Sequence, residues 1–145
     1  MKKKWLWLVG VVLITLAGCA SSTAEEIEIN DDKIPSVYKV IGEKKITGTN
    51  SSIKDDVRTT EITYKKGSIS EEELVEYMTY LVEEEGFIPT LDTQEQGGKL
   101  TNQLGVDSAT DEHIVLVDLT CSTDFKGETV ITYRSGPGKI TKNDE

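Results

Sequence analysis

Ser70 to Phe87 reads SEEELVEYMTYLVEEEGF and specifies a helix at both ends. Ser70 with Glu73 three residues later is a capping box: the serine oxygen takes an orphan N–H of the first turn and the glutamate reaches back to the cap. Ile69 ahead of the cap and Leu74 inside it can close a hydrophobic staple. Leu74, Val75, Tyr77, Met78, Leu81 and Val82 fall within an arc of about 160° at 100° per residue, a stripe that must face a core. Gly86 enters the left-handed region without a Cβ penalty and ends the helix, and Phe87 can then close against Val82. The spacing predicts a helix over Ser70–Glu85 lying on something flat.

Working outward from the helix, the flat partner is a sheet. His113 to Cys121, HIVLVDLTC, is rich in β-branched and aliphatic residues and places Val115, Val117, Leu119 and Cys121 on one face. Glu128 to Arg134 follows across Ser122–Gly127, a hairpin-type link with Asp and Gly, so the two strands should pair antiparallel. Val57 to Lys66 alternates Thr60, Ile62 and Tyr64 with polar residues, and Ser36 to Thr47 reads as a weaker strand interrupted at Gly42. Phe87 to Leu91 is a short strand with Pro89 suited to an edge. The fold class expected is α+β: one amphipathic helix packed on an antiparallel sheet of four to five strands, in the order β-β-α-β-β-β, within a single domain over 34–138. Residues 92–112 show no regular period. They are either a functional loop or an element hidden around Leu100 and Leu104. Residues 139–145 read as a fraying, disordered tail.

Composition narrows the function classes. The chain has 145 residues, 16 basic against 26 acidic, and a formal charge of -10. That length leaves room for one domain and an N-terminal appendage. Nucleic acid is not an expected partner, because its phosphates require a basic stripe. The hydrophobic share of 37% allows a small core.

The N-terminus carries the clearest instruction. Lys2, Lys3 and Lys4 precede an apolar run from Trp5 to Leu16, about twelve residues at ~1.5 Å rise, well short of the ~30 Å hydrocarbon core. Leu16-Ala17-Gly18-Cys19 follows and resembles the lipobox of bacterial lipoproteins. The resemblance covers about the first twenty residues, with lysines, apolar stretch, Leu, two small residues and Cys in order. It implies a signal peptide over 1–18, cleavage between Gly18 and Cys19, diacylglycerol on the Cys19 sulfur and acyl groups carried by Cys19. No other cofactor is expected. Two or more acyl chains anchor a protein stably where one does so only marginally. The expected location is therefore the extracytoplasmic face of a cell membrane, reached through lipid. Cleavage also removes Lys2, Lys3 and Lys4 and leaves the remainder still more acidic, so an anionic lipid surface should repel the body. Residues 19–33, with Ser21, Ser22, Thr23 and the acids from Glu25 to Asp32, read as a flexible tether of roughly 20 Å reach.

Motifs for chemistry are sparse. The chain has one His and two Cys, too few for a zinc, haem or iron–sulfur site. His113 has no G-x-S-x-G elbow to serve. Ser36-Val37-Tyr38-Lys39 and Ser51-Ser52-Ile53-Lys54 match S-x-x-K, but the S-D-N and K-T-G partners of that motif are missing. Asp107, Asp111 and Asp118 occupy calcium-loop positions 1, 5 and 12, yet Ala109 and Glu112 spoil the pattern, which leaves at most a loose carboxylate cluster. Cys121, at an inward strand position, should behave as a small buried hydrophobe.

One surface feature remains. Glu71, Glu72, Glu73, Glu76, Glu83, Glu84 and Glu85 give the helix an acidic face, and the last three oppose the negative end of its dipole. Tyr80 lies one turn from Glu76 and from Glu84, so Tyr80, Glu76, Glu83, Glu84 and Glu85 form a candidate docking face for a cationic partner. The function expected is that of a non-catalytic binding module of the cell envelope, engaging an envelope or extracellular protein. The alternative is a small extracytoplasmic hydrolase, or an ion- or small-ligand-binding domain, working through loop carboxylates.

Overall fold

In the computed structural model, which describes residues 22–110 and 112–140, the chain is α+β. β1 (Glu26–Ile29) and β2 (Asp32–Pro35) form a small hairpin and lead to α1 (Val37–Ile41). β3 (Ile46–Lys54), β4 (Val57–Tyr64), α2 (Glu71–Glu85), β5 (Ile88–Gln96), β6 (Lys99–Asp107), β7 (His113–Ser122) and β8 (Thr129–Pro137) follow. The last six strands make one antiparallel sheet in the order β3-β4-β8-β7-β6-β5, so the two final strands enter at its centre.

The sequence specifies α2 well. The capping box of Ser70 and Glu73 is formed in both directions, and Gly86 ends the helix in the left-handed region at φ 77°. Ile69 and Leu74 are both buried, as a staple requires. The pairing of His113–Ser122 with Thr129–Pro137 also follows expectation, with Val115, Val117, Leu119 and Cys121 facing inward. Pro89 sits on an edge strand, where its missing N–H costs the sheet nothing.

Three segments differ from expectation. The sheet has six strands rather than four or five, because 92–112 hides most of a hairpin: β5 runs on to Gln96, and Gly97 and Gly98, both at positive φ, turn it into β6. The weak strand expected over Ser36–Thr47 is instead α1 followed by the start of β3. Ser36 caps that helix by accepting from the Lys39 N–H, and Gly42 at φ 91° stops it. Part of the 19–33 tether is the β1–β2 hairpin, turned at Asn30 and Asp31, both at positive φ. Ile27, Ile29 and Ile34 are buried, so the isoleucines outweigh the acids that interleave them. The observed order is therefore β-β-α-β-β-α-β-β-β-β. Of the expected tail, Lys139 and Ile140 are described, and the Ile140 N–H donates to Asp107 Oδ1 at 2.9 Å.

The core lies on one face of the six-stranded sheet. Ile62, Val117, Leu119 and Ile131 meet Leu74, Tyr77 and Leu81 of α2, while the β1–β2 hairpin and Val37 of α1 extend the cover. Tyr77 pins these layers together. Its hydroxyl donates to the Pro35 carbonyl at 2.7 Å and lies 2.8 Å from the Tyr133 hydroxyl, with both rings fully buried. The hairpin is latched at its far corner, where the Asp32 carboxylate accepts from the Ser108 hydroxyl and from the Ala109 N–H. On the opposite face Leu116, Thr132 and Arg134 remain partly exposed. No helix among the described residues is long and apolar enough to cross a membrane.

Candidate functional site

The apolar stripe of α2 is wider than the surface available to it. Leu74, Tyr77 and Leu81 point into the sheet and are at most 2% exposed, whereas Val75 is 49% and Val82 37% exposed. At 100° per residue those two valines lie one step round the helix, on the side of β5 and β6. There they face Leu91, itself 55% exposed, across a groove of about 400 Å³ floored by Leu104 and Pro89. Phe87 is buried, and its N–H donates to the Leu81 carbonyl, while Val82 stays open to solvent.

The rim of the groove is polar and carries charge of one sign. Glu83 stands on the helix wall and Asp92 on the strand wall, and no Lys or Arg lines the groove. Thr93 Oγ1 donates to Asn102 Oδ1 at 2.6 Å, holding the β5 wall to β6 where the register between them slips. The groove is therefore an apolar trough with acidic edges. It suits a side chain or short segment with an apolar body and flanking cations, since Val and Leu gain from leaving water while the carboxylates stay hydrated.

Of the acidic docking face, the structure brings only Glu83 to this groove. Glu76, Glu84 and Glu85 are exposed, and Tyr80 is half-buried on the flank about 140° round the helix from Val75. The sequence does not announce the groove, because periodicity alone gives every apolar residue of the stripe to the core. The signal was there: an arc of about 160° is broader than one sheet contact needs.

Of the calcium-loop positions, Asp107 and Asp118 do not converge. Asp118 and Asp107 lie on neighbouring strands, opposite Gln103 and Ile114, four residues apart along the ladder. Asp118 is committed to a chain of bonds across the outer face: Thr90 Oγ1 donates to Gln103 Oε1 at 2.8 Å, Gln103 Nε2 donates to Asp118 Oδ1 at 2.7 Å, and Arg134 Nη2 donates to Asp118 Oδ2. Asp111 lies outside the described residues, as do Cys19 and the lipobox residues Leu16, Ala17 and Gly18. Among the described residues no three His, Cys, Asp or Glu side chains gather as a metal site would require.

Cys121 is a buried free thiol, and burial, with Glu71 adding to it, pushes its pKa up, so the nucleophilic thiolate is disfavoured. Burial likewise raises the phenols of Tyr64, Tyr77 and Tyr133 well above their usual range, which keeps them neutral members of the core. The backbone of His113 helps close the β6–β7 turn, donating to Thr110 and accepting from Ser108. Comparison of the chain with protein-family models, with curated proteins and with solved structures gave no match.

Proposed function

We propose that this chain is a lipid-anchored, extracytoplasmic binding module. It holds an apolar, base-flanked segment of another envelope or extracellular protein in the groove between α2 and the β5–β6 hairpin. The observation that carries this reading is the bare edge of the α2 stripe: Val75 and Val82 sit exposed opposite Leu91 with Glu83 and Asp92 at the rim. An open apolar trough beside acids favours protein docking over catalysis, which calls for an enclosed pocket with convergent polar groups. The lipobox at Leu16–Cys19 supports the location. The loop carboxylates have less support as a working site, because Asp118 is neutralised by Arg134.

The energetics fit a transient contact. Completing the burial of three half-exposed aliphatic side chains contributes about 1 kcal/mol each, too little for a tight complex. Confinement of both proteins to one membrane raises their effective concentration and makes such a contact useful. The test is a paired set of variants. Val75→Ser with Val82→Ser should leave the melting temperature within a few degrees while reducing capture of the native partner at least tenfold. Leu81→Ala should instead unfold the domain. Partner capture unaffected by the double valine variant refutes the groove.

A further inference from the structure

The described chain begins at one end of the sheet, and so do the links that share that end. Ser22 Oγ donates to Glu43 Oε1 at 3.1 Å, and Ser22, Glu43, Lys45 and Ile46 line one shallow hollow. The Lys45 carbonyl accepts from Lys65 N, and the Gly127 carbonyl accepts from Gly67 N, so the segments 42–45, 65–68 and 123–128 are contiguous. Ala24 and Glu25 are tied down beside them, accepting from Ser36 Oγ and Ser36 N respectively. Cys19 precedes Ser22 by only three residues. Fully extended, three residues span about 10 Å.

Charge is distributed along the same axis. The near end, which also holds Glu25 and the β5–β6 turn, carries Lys44, Lys45, Lys65, Lys66, Lys99 and Lys126 against Glu25, Glu43, Glu71, Glu72, Glu73, Glu95, Asp124 and Glu128. Two of these acids are occupied, Glu73 by Lys44 at 2.7 Å and Asp124 by Ser122 and the Lys126 N–H. The far end, where the β1–β2, β3–β4 and β6–β7 turns lie, collects Asp31, Asp32, Asp55, Asp56, Asp107 and Glu112, and α2 delivers Glu83, Glu84 and Glu85 to it. Lys33, Lys54, Arg58 and Lys139 are too few to balance them. The molecule is thus mildly acidic where the chain enters and more strongly acidic about 30 Å away, the length of a ten-residue strand.

We propose that the end built by 42–45, 65–68 and 123–128 lies against an anionic lipid headgroup surface, with the turns at 30–31, 55–56 and 108–112 pointing away. The proposal rests on the lipid-anchor reading above. A covalent lipid three residues from Ser22 cannot let the opposite end reach the bilayer while the near end stands off it. Only charges within a Debye length of about 8–10 Å feel the surface, so the near-end lysines offset most of the near-end carboxylates while the distal acids add little repulsion. An acidic body therefore sits on an anionic membrane by turning its least acidic end to it. In this pose α2 stands with its N-terminus toward the lipid, and the groove opens sideways, within reach of a neighbour in the same layer.

The test uses the full, natively processed chain in phosphatidylcholine/phosphatidylglycerol vesicles containing a headgroup spin-labelled lipid. A fluorophore is attached without denaturant at Lys66→Cys or Lys126→Cys for the near end, and at Ala109→Cys or Lys54→Cys for the far end. The expected result is at least threefold stronger quenching at both near sites than at both far sites. Equal quenching, or stronger quenching at the far sites, on a chain whose mass shows lipid on Cys19 overturns the orientation alone. A mass without lipid on Cys19 overturns the anchor reading first, and the orientation with it.

Discussion

Replacing Tyr77 by Phe removes one oxygen and orphans two partners. The single proton of the Tyr77 hydroxyl goes to the Pro35 carbonyl at 2.7 Å, so Tyr133, 2.8 Å away, must be the donor in the second bond. Both rings are 0% exposed, and water has no route in to replace either contact. Tyr77→Phe therefore leaves a buried carbonyl and a buried O–H unsatisfied, at about 1–3 kcal/mol each. The expected loss is about 2–6 kcal/mol, a large part of the ~5–15 kcal/mol available to a domain. Tyr133→Phe is milder. It removes a donor but leaves the Tyr77–Pro35 bond intact, for about 1 kcal/mol. With a urea slope of about 2 kcal/mol/M, the first variant should lower the unfolding midpoint by roughly 1–3 M and the second by about 0.5 M. Urea melts followed by circular dichroism measure both. If Tyr133→Phe costs as much as Tyr77→Phe, or if both fall below about 0.5 kcal/mol, then the hydroxyl relay does not bind the hairpin to the sheet.

The same tyrosines set an alkaline limit. Because burial raises the folded pKa of Tyr64, Tyr77 and Tyr133 above the usual value near 10, their contribution is complete below pH 10 and declines as pH climbs beyond it. In an alkaline titration the phenolate absorbance of these three should rise together with loss of the dichroism signal; a rise completed on the intact fold contradicts their burial. Gly105→Ala should destabilise by about 1–3 kcal/mol, since its Cβ would stand 2.9 Å from Leu116 Cδ2 and Thr90 Cγ2 and 3.1 Å from Ile140 Cδ1, and a neutral thermal melt would refute that packing. Ser70→Ala should cost about 1 kcal/mol by breaking the capping box, measured by the same melt. Thiol titration of the processed chain should find no reactive sulfur in buffer and one in denaturant, from Cys121; two in denaturant means that Cys19 is unmodified.

How much of this was written in the sequence depends on whether the cause was local. The ends of α2 were legible because capping box, staple and terminal glycine act within a few residues, and β7 was legible because alternating apolar residues leave a central strand little choice. The β5–β6 hairpin was obscured because DTQEQ is exposed on both faces and shows no period, although Gly97-Gly98 is a turn signal. The β1–β2 hairpin is hidden behind its acids: the alternation of Ile27 and Ile29 with glutamates is that of a half-buried strand, but the segment's small polar and acidic composition is that of a tether. For α1, five residues were too few for period alone to distinguish a helix from a strand. The groove was half legible. The helix side could be drawn from the stripe, whereas Leu91 and Leu104 meet it only through pairing over long sequence separation.

The outer edge formed by β5 has a consequence for crowding. Its register against β6 slips twice, between Pro89 and Leu91 and again before Gln94, and it carries Pro89, Asp92 and Glu95. An interrupted, kinked and negatively charged margin offers a second copy no continuous row of amides to zip onto. Copies packed side by side at high density can thus remain separate molecules rather than fuse into one extended ribbon, and a visitor to the neighbouring trough must be held by its side chains rather than by its backbone.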